Sequence, residues 1–135
     1  MTLVDAGPLV ALIDRGEPEH KRCVDVLAEL SGPLITTWPA FTEAIYLLGG
    51  AGGWSAQAAL WKLVDRGDLQ LADLDVSMRQ RSRDLMAKYD DVPMDLADAS
   101  LVALAESLKL NRVFTLDSDF HIYRMKTRRA FEVLP

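Results

Sequence analysis

At 135 residues, with hydrophobic side chains at 50% and charged ones at 26%, the chain has the make-up of one folded domain over residues 1–135, which excludes a disordered or low-complexity segment. Acidic residues outnumber basic ones by 20 to 15, against the basic excess of a general nucleic-acid coat. No apolar run approaches the ~18 residues that span a bilayer, no signal-peptide pattern opens the sequence, and the lone Cys23 forms no internal disulfide, so a reducing cytoplasmic setting and no membrane partner are expected.

Residues 2–5 read as a short apolar strand stopping at Asp5, and Pro8 suits the first turn of a helix carrying Leu9, Leu12 and Ile13. A second helix is expected over residues 19–30, with Val24, Leu27 and Ala28 inward, and a second strand over 34–37. Thr37 and Pro39 start a helix whose Phe41, Ala44, Ile45 and Leu48 follow the i, i+3, i+4, i+7 rule. The glycine-rich residues 49–53 are expected to end it in a loop. They follow a helix rather than a strand and are therefore no phosphate cradle.

Another helix is expected over 54–64, a third strand over 69–74 and a helix over 77–89. Residues 90–93 lead into a helix over 96–108 that is apolar almost all round, which marks a buried helix. Asp98 lies in its first turn, on one stripe with Val102 and Ala105. A fourth strand over 112–116 runs into Asp117, and residues 131–134 suit a last edge strand. Strands alternating with helices give an α/β fold, with a mainly parallel central sheet of four or five strands flanked by helices. Ligands in such sheets sit outside the carboxyl ends of the strands, where Asp5 and Asp117 fall.

Each acid has a plain structural role open to it. Asp5 and Asp95 can cap helices, Glu43 can be solvated, and Asp117 with Asp119 can form a turn. Asp98, between Ala97 and Ala99 and near Leu101 and Val102, is expensive to bury unless something cationic meets it. Carboxylates converging on one pocket would repel unless some protonate or a hard cation binds. His20, His121 and Cys23 lack the spacing of a zinc site.

The pieces that carry these acids resemble the PIN domain, and specifically the VapC-type toxin ribonucleases of bacterial toxin–antitoxin pairs. They are residues 3–9, Thr42 with Glu43, residues 96–99 and residues 115–120. The resemblance runs the whole length in order. It implies a Mg²⁺- or Mn²⁺-dependent endoribonuclease with Asp5, Glu43, Asp98 and Asp117 as catalytic and metal-binding acids, supported by Asp119 and Thr115. A VapB-type antitoxin partner and a homodimer are implied too. Leu116 stands where the family often has asparagine.

Such a site would activate water for in-line attack on an RNA phosphodiester, leaving 3′-hydroxyl and 5′-phosphate ends. Arg124, Lys126, Arg128 and Arg129 form the densest basic run and are expected either to rim the site and grip phosphates or to be a solvated face. Trp38, Trp54 and Trp61 are expected in the core, the alternative being an apolar patch for a second subunit or an antitoxin helix. The competing functions are a non-catalytic RNA- or protein-binding module, a stand-alone RNA-processing nuclease without an antitoxin, and another Mg²⁺ phosphotransfer enzyme such as a phosphatase or receiver-like domain. The last needs a lysine near the phosphate, and no lysine closes a strand here.

Overall fold

Five short strands pair in parallel in the order β3-β2-β1-β4-β5, in a computed structural model that describes all 135 residues. They are β1 (Thr2–Val4), β2 (Leu34–Thr37), β3 (Leu69–Ala72), β4 (Arg112–Phe114) and β5 (Glu132–Leu134). The sheet alternates its side chains between two cores, as pleated strands must. Leu3, Ile35 and Val113 face α4 (Val76–Lys88) and α5 (Leu96–Leu108). Val4, Leu34 and Phe114 face α1 (Ala6–Ile13), α2 (His20–Glu29) and α3 (Trp38–Asp65).

Strand β3 stops at Ala72, two residues short of its expected end, and β5 starts one residue late, at Glu132. The chain leaves β4 after Phe114, although Thr115 N–H still donates to Leu134 C=O at 2.8 Å.

From β1 the chain first adds strands on one side (β2, then β3) and afterwards crosses to the other (β4, then β5). The reversal falls between β1 and β4. That is where the loops leaving two neighbouring strands diverge and open a crevice. Asp5 ends β1 and Asp117 follows β4, so both stand at this crevice.

Helix α5 begins and ends as its sequence suggests. Asp95 caps it by accepting from Asp98 N–H at 2.8 Å, and residues 97–105 are buried without a break. Full burial of Leu101, Val102 and other apolar side chains stabilises by roughly 1.5–3 kcal/mol each, enough to hold an acid in the same helix. Ser100 ties α5 to α3: its hydroxyl donates to Ala97 C=O (2.8 Å) and lies 2.6 Å from the Thr37 hydroxyl, the N-cap of α3.

The glycine-rich residues 49–53 do not form the expected loop. The chain stays helical through Gly49, Gly50 and Gly52, and α3 kinks only at Gly53, with φ 64° and ψ −155°. Helical glycine costs about 1 kcal/mol relative to alanine. Packing of Phe41, Ala44 and Leu48 before the kink and Leu60 after it overrides that penalty. Gln57 reaches back across the kink to Ile45 C=O (2.9 Å).

The two glycines should therefore respond oppositely to alanine in urea denaturation. Gly53→Ala forces a side chain into backbone space that essentially only glycine occupies and should destabilise by about 1–3 kcal/mol. Gly50→Ala, helical with open space where its Cβ would go, should stabilise by about 0.5–1 kcal/mol. Two neutral results would reject the kinked helix.

Trp38, Phe41 and Trp61 interlock, with ring centroids 5.8 Å and 4.8 Å apart along that chain. Trp38 also donates its indole N–H to Asp73 at 2.8 Å. Trp54 and Trp38 depart from the core expectation: Trp54, directly after the kink, is 69% exposed and Trp38 42%, and Tyr46 earlier on α3 is 80% exposed.

Candidate active site

Asp5, Asp98 and Asp117 come together from three elements, each offering a carboxylate oxygen within 4.8 Å of the others. Asp5 leaves β1 and caps α1, accepting from Ala6 N–H (2.8 Å) on one oxygen and from the Thr115 hydroxyl (3.0 Å) on the other. The capping role and the cluster role are thus compatible in one side chain. Thr115 in turn accepts from Asp117 N–H at 3.0 Å. Asp117 caps the short 3₁₀ turn Ser118–His121 by accepting from Asp119 N–H at 2.9 Å.

Asp98 is held by a residue that the sequence reading missed. Tyr123 is fully buried and donates its hydroxyl to Asp98 Oδ2 at 2.9 Å. Its ring stands edge-on to Phe120 and to Tyr89, each at 5.1 Å. The side chain therefore has little freedom to swing away. A tyrosine 25 positions from its partner leaves no periodic or motif signal, so the sequence offered nothing to find it by.

The three aspartates open onto a cleft of about 240 Å³, also lined by Glu43, Asp95, Leu47 and Leu116. Glu43, on α3, is exposed on its wall. Asp119 does not line it and serves the cluster through its backbone N–H. Leu116 lies against Gly7, its Cβ 3.5 Å from where a glycine Cβ would stand, so an apolar contact occupies the position where a polar role was in question.

No lysine or arginine lines this cleft. At 4.8 Å a like-charge pair repels by about 3.5 kcal/mol at an effective dielectric of 20. A hydrogen bond to a charged group returns about 1.5–3 kcal/mol, less than one such repulsion, so the cluster is not compensated by its hydrogen bonds alone. Protonation answers the repulsion. Burial, then the charges of Asp5 and Asp95, push the Asp98 carboxyl up to about 8, against the pull of the Tyr123 hydroxyl. Burial also raises Asp5, with Asp117 adding and the bonds from Ala6 and Thr115 opposing. Glu43 is raised by burial first and then by Asp95, Asp5 and Asp117.

An all-oxygen donor set with excess negative charge and no compensating cation fits a hard divalent ion. No nitrogen or sulfur donor lines this cleft: Cys23 is fully buried on the inner face of α2, His20 Nδ1 is 2.6 Å from Ala11 C=O, and His121 lines the adjoining cleft.

The basic run is not brought to the cleft. Arg124 turns its guanidinium back onto the carbonyls of His121, Ile122 and Tyr123 (2.7, 3.1 and 2.8 Å). Lys126 N–H bonds Glu106, eight residues or about 12 Å along α5 from Asp98. Arg128 and Arg129 precede the amino-terminal end of β5, whose Glu132 pairs in register with Arg112 at the start of β4. In a parallel sheet that is the edge opposite Asp5 and Asp117. Of the two expectations for this run the structure favours the solvated face: none of the four residues lines the cleft, because after Asp119 the chain descends along α5 to begin its last strand.

The sequence profile of the PIN domain matches residues 2–125. Ribonuclease VapC26 of Mycobacterium tuberculosis is 25% identical over 134 residues, 98% of this chain and 99% of that protein. Among solved structures, VapC20 of M. tuberculosis, described as a sarcin–ricin-loop-cleaving toxin, superposes with a TM-score of 0.85 over all of both chains at 17% identity. A chain of VapBC2 from Rickettsia felis, solved with a DNA fragment from its promoter, gives 0.70 over 99% of this chain and 98% of that one at 12% identity. With the parallel five-stranded sheet and the acid cluster at its switch point, a profile match over nearly the whole length places this chain in the PIN domain family.

Proposed function

We propose that the chain, acting as one nuclease domain over residues 1–135, is a VapC-type endoribonuclease and the toxin of a toxin–antitoxin pair. The observation that carries the chemistry is the convergence of Asp5, Asp98 and Asp117 within 4.8 Å with no cation beside them. Similarity to VapC26 supports RNA as substrate and hydrolysis as the reaction.

In this reading Asp5, Asp98 and Asp117 hold Mg²⁺ or Mn²⁺, with Glu43 contributing from the cleft wall. The ion, once bound, acidifies water and neutralises charge developing on the scissile phosphate. The protein's part is orientation. Thr115 fixes Asp5, Tyr123 fixes Asp98, and the Asp119 N–H fixes Asp117, each leaving carboxylate lone pairs turned to the cleft. Glu43, its pKa raised by burial and neighbouring acids, is suited to take the proton from an attacking water.

Likeness to the VapBC2 toxin supports a VapB-type antitoxin as partner. The exposed Tyr46 and Trp54 on α3 supply apolar surface for that partner or for the second copy of a homodimer. No helix is long and apolar enough to cross a membrane.

The deciding experiment incubates the purified protein with total RNA and Mg²⁺ or Mn²⁺ and maps the new ends. Discrete cuts with 5′-phosphate and 3′-hydroxyl ends, lost in excess chelator, are expected. Undiminished cleavage in chelator would reject the scheme.

Tyr123→Phe keeps the ring packing and removes the only hydroxyl on Asp98. Groups that orient a metal ligand are worth about 10–100-fold in affinity. A loss of that size is expected for Mn²⁺, read by electron paramagnetic resonance, with the melting temperature little changed. Unaltered Mn²⁺ affinity would show that Tyr123 only fills space.

A further inference from the structure

With the basic run placed at the far edge of the sheet, the acid cleft is left without cations along its own walls, yet a polyanion must cross it. A second cleft of about 250 Å³ adjoins it. The two share Leu116 and Asp117 as a common sill. Beyond the sill the character changes: the second cleft is lined by Arg22 of α2, by His121 and by Ser118, with Glu19, the partner of Arg22, as the one acid among them.

We propose that this adjoining trough is the subsite for the RNA backbone phosphate next to the scissile one, held by Arg22 and His121 with the strand passing over Asp117. The inference rests on the ribonuclease reading and adds to it the direction in which the substrate leaves the acid cluster and the residues that grip it.

Three observations support the assignment. Arg22 is the arginine whose cleft opens directly onto the acid cluster, and its guanidinium presents a planar fork suited to phosphate oxygens. Its intramolecular partner is a weak competitor: Glu19 meets it at 3.4 Å, with the two side chains 62% and 41% exposed. Exposed pairs of this kind contribute little and exchange readily. His121 always carries at least one ring N–H to donate, and Ser118 a hydroxyl. Three donors, Arg22, His121 and Ser118, against the single acid Glu19 lie on one side of Asp117 and, among polar side chains, only acids on the other, which suits one phosphate at the acid cluster and its neighbour among N–H groups.

The test uses a fluorescent 12-nucleotide single-stranded RNA of mixed sequence. Binding is measured by anisotropy in chelator, across a salt series, and cleavage is measured with Mg²⁺. Arg22→Gln should weaken binding about tenfold and reduce the salt slope by about 0.7, the value for one phosphate contact on a single strand. In cleavage, KM should rise and kcat should change little. Arg22→Lys should restore most of the salt slope. Glu19→Gln, which frees Arg22 from its competitor, should tighten binding two- to threefold, an effect of opposite sign that a structural role for the pair does not produce. Arg128→Gln and Arg129→Gln should bind as the parent does.

Parent-like binding by Arg22→Gln, or a larger loss in Arg128→Gln or Arg129→Gln, overturns the subsite while leaving the ribonuclease reading in place if the parent still cuts RNA. A folded parent that neither binds nor cuts RNA removes both.

Discussion

Asp98→Asn is expected to lose RNA cleavage by more than about a hundredfold, beyond the 10–100-fold typical of groups that merely orient a ligand, and yet to give a better-folded protein in chelator at pH 8. The two effects share one cause. Asparagine has the shape of aspartate and keeps an oxygen for the Tyr123 hydroxyl, so the helix and its packing are retained. It removes one of three carboxylates within 4.8 Å, and with it both the affinity for a divalent ion and the repulsion from Asp5. Residual RNA cleavage, Mn²⁺ affinity and thermal unfolding of the same preparation measure the three consequences. Parent-level cleavage by the variant would show that Asp98 is a buried acid with no part in the chemistry.

The second large effect is a pH dependence of the metal-free protein. Asp98 is raised from an ordinary 3.8 to about 8 by burial and by neighbouring acids, so the folded state binds its proton more tightly than the unfolded chain does. Stability from this group is complete below about pH 4, is lost progressively as pH rises, and is gone above about pH 8. Asp5, raised by burial, acts in the same direction. The melting temperature in chelator should therefore fall between pH 5 and pH 8.5, by something on the order of 5–10 °C in a chain of this size.

The slope should be shallower in Asp98→Asn, and the difference between the two slopes isolates this residue from every other titrating group. Mg²⁺ or Mn²⁺ should raise the parent's melting temperature more at pH 8 than at pH 5.5, because the ion competes with protons for the same oxygens. A melting temperature that rises with pH in chelator, or equal stabilisation by metal at both values, would contradict the clustered carboxylates.

Helix α5 was legible because its determinants are local. An N-cap at Asp95 and a composition apolar almost all round act within the helix itself; its left-handed closing residue, Lys109, carries no such sequence signal. Asp5, directly after β1, was legible in the same way, whereas β4 ends at Phe114 and Asp117 stands in the loop beyond it. The glycine-rich residues 49–53 were misread because propensity is a small term that summed packing exceeds; the apolar side chains on both sides of Gly53 carry α3 onward. The basic run misled for a different reason. Charge clustering in sequence says nothing of which end of the sheet a connection reaches, and the register of β5 on β4 decided that.

Composition, periodicity and capping chemistry thus determined the element types, the α/β class and the set of acids that had to be explained, because each of these follows from interactions among near neighbours in the chain. Tertiary structure alone decided which acids meet. Asp5, Asp98 and Asp117 converge and Asp119 stays aside. A tyrosine hydroxyl completes the cluster, and Arg22 rather than the basic run lines the cleft that adjoins it. Such relations join residues more than a hundred positions apart, as Thr115 and Asp5 are at 110, and only strand order and helix packing bring such groups together.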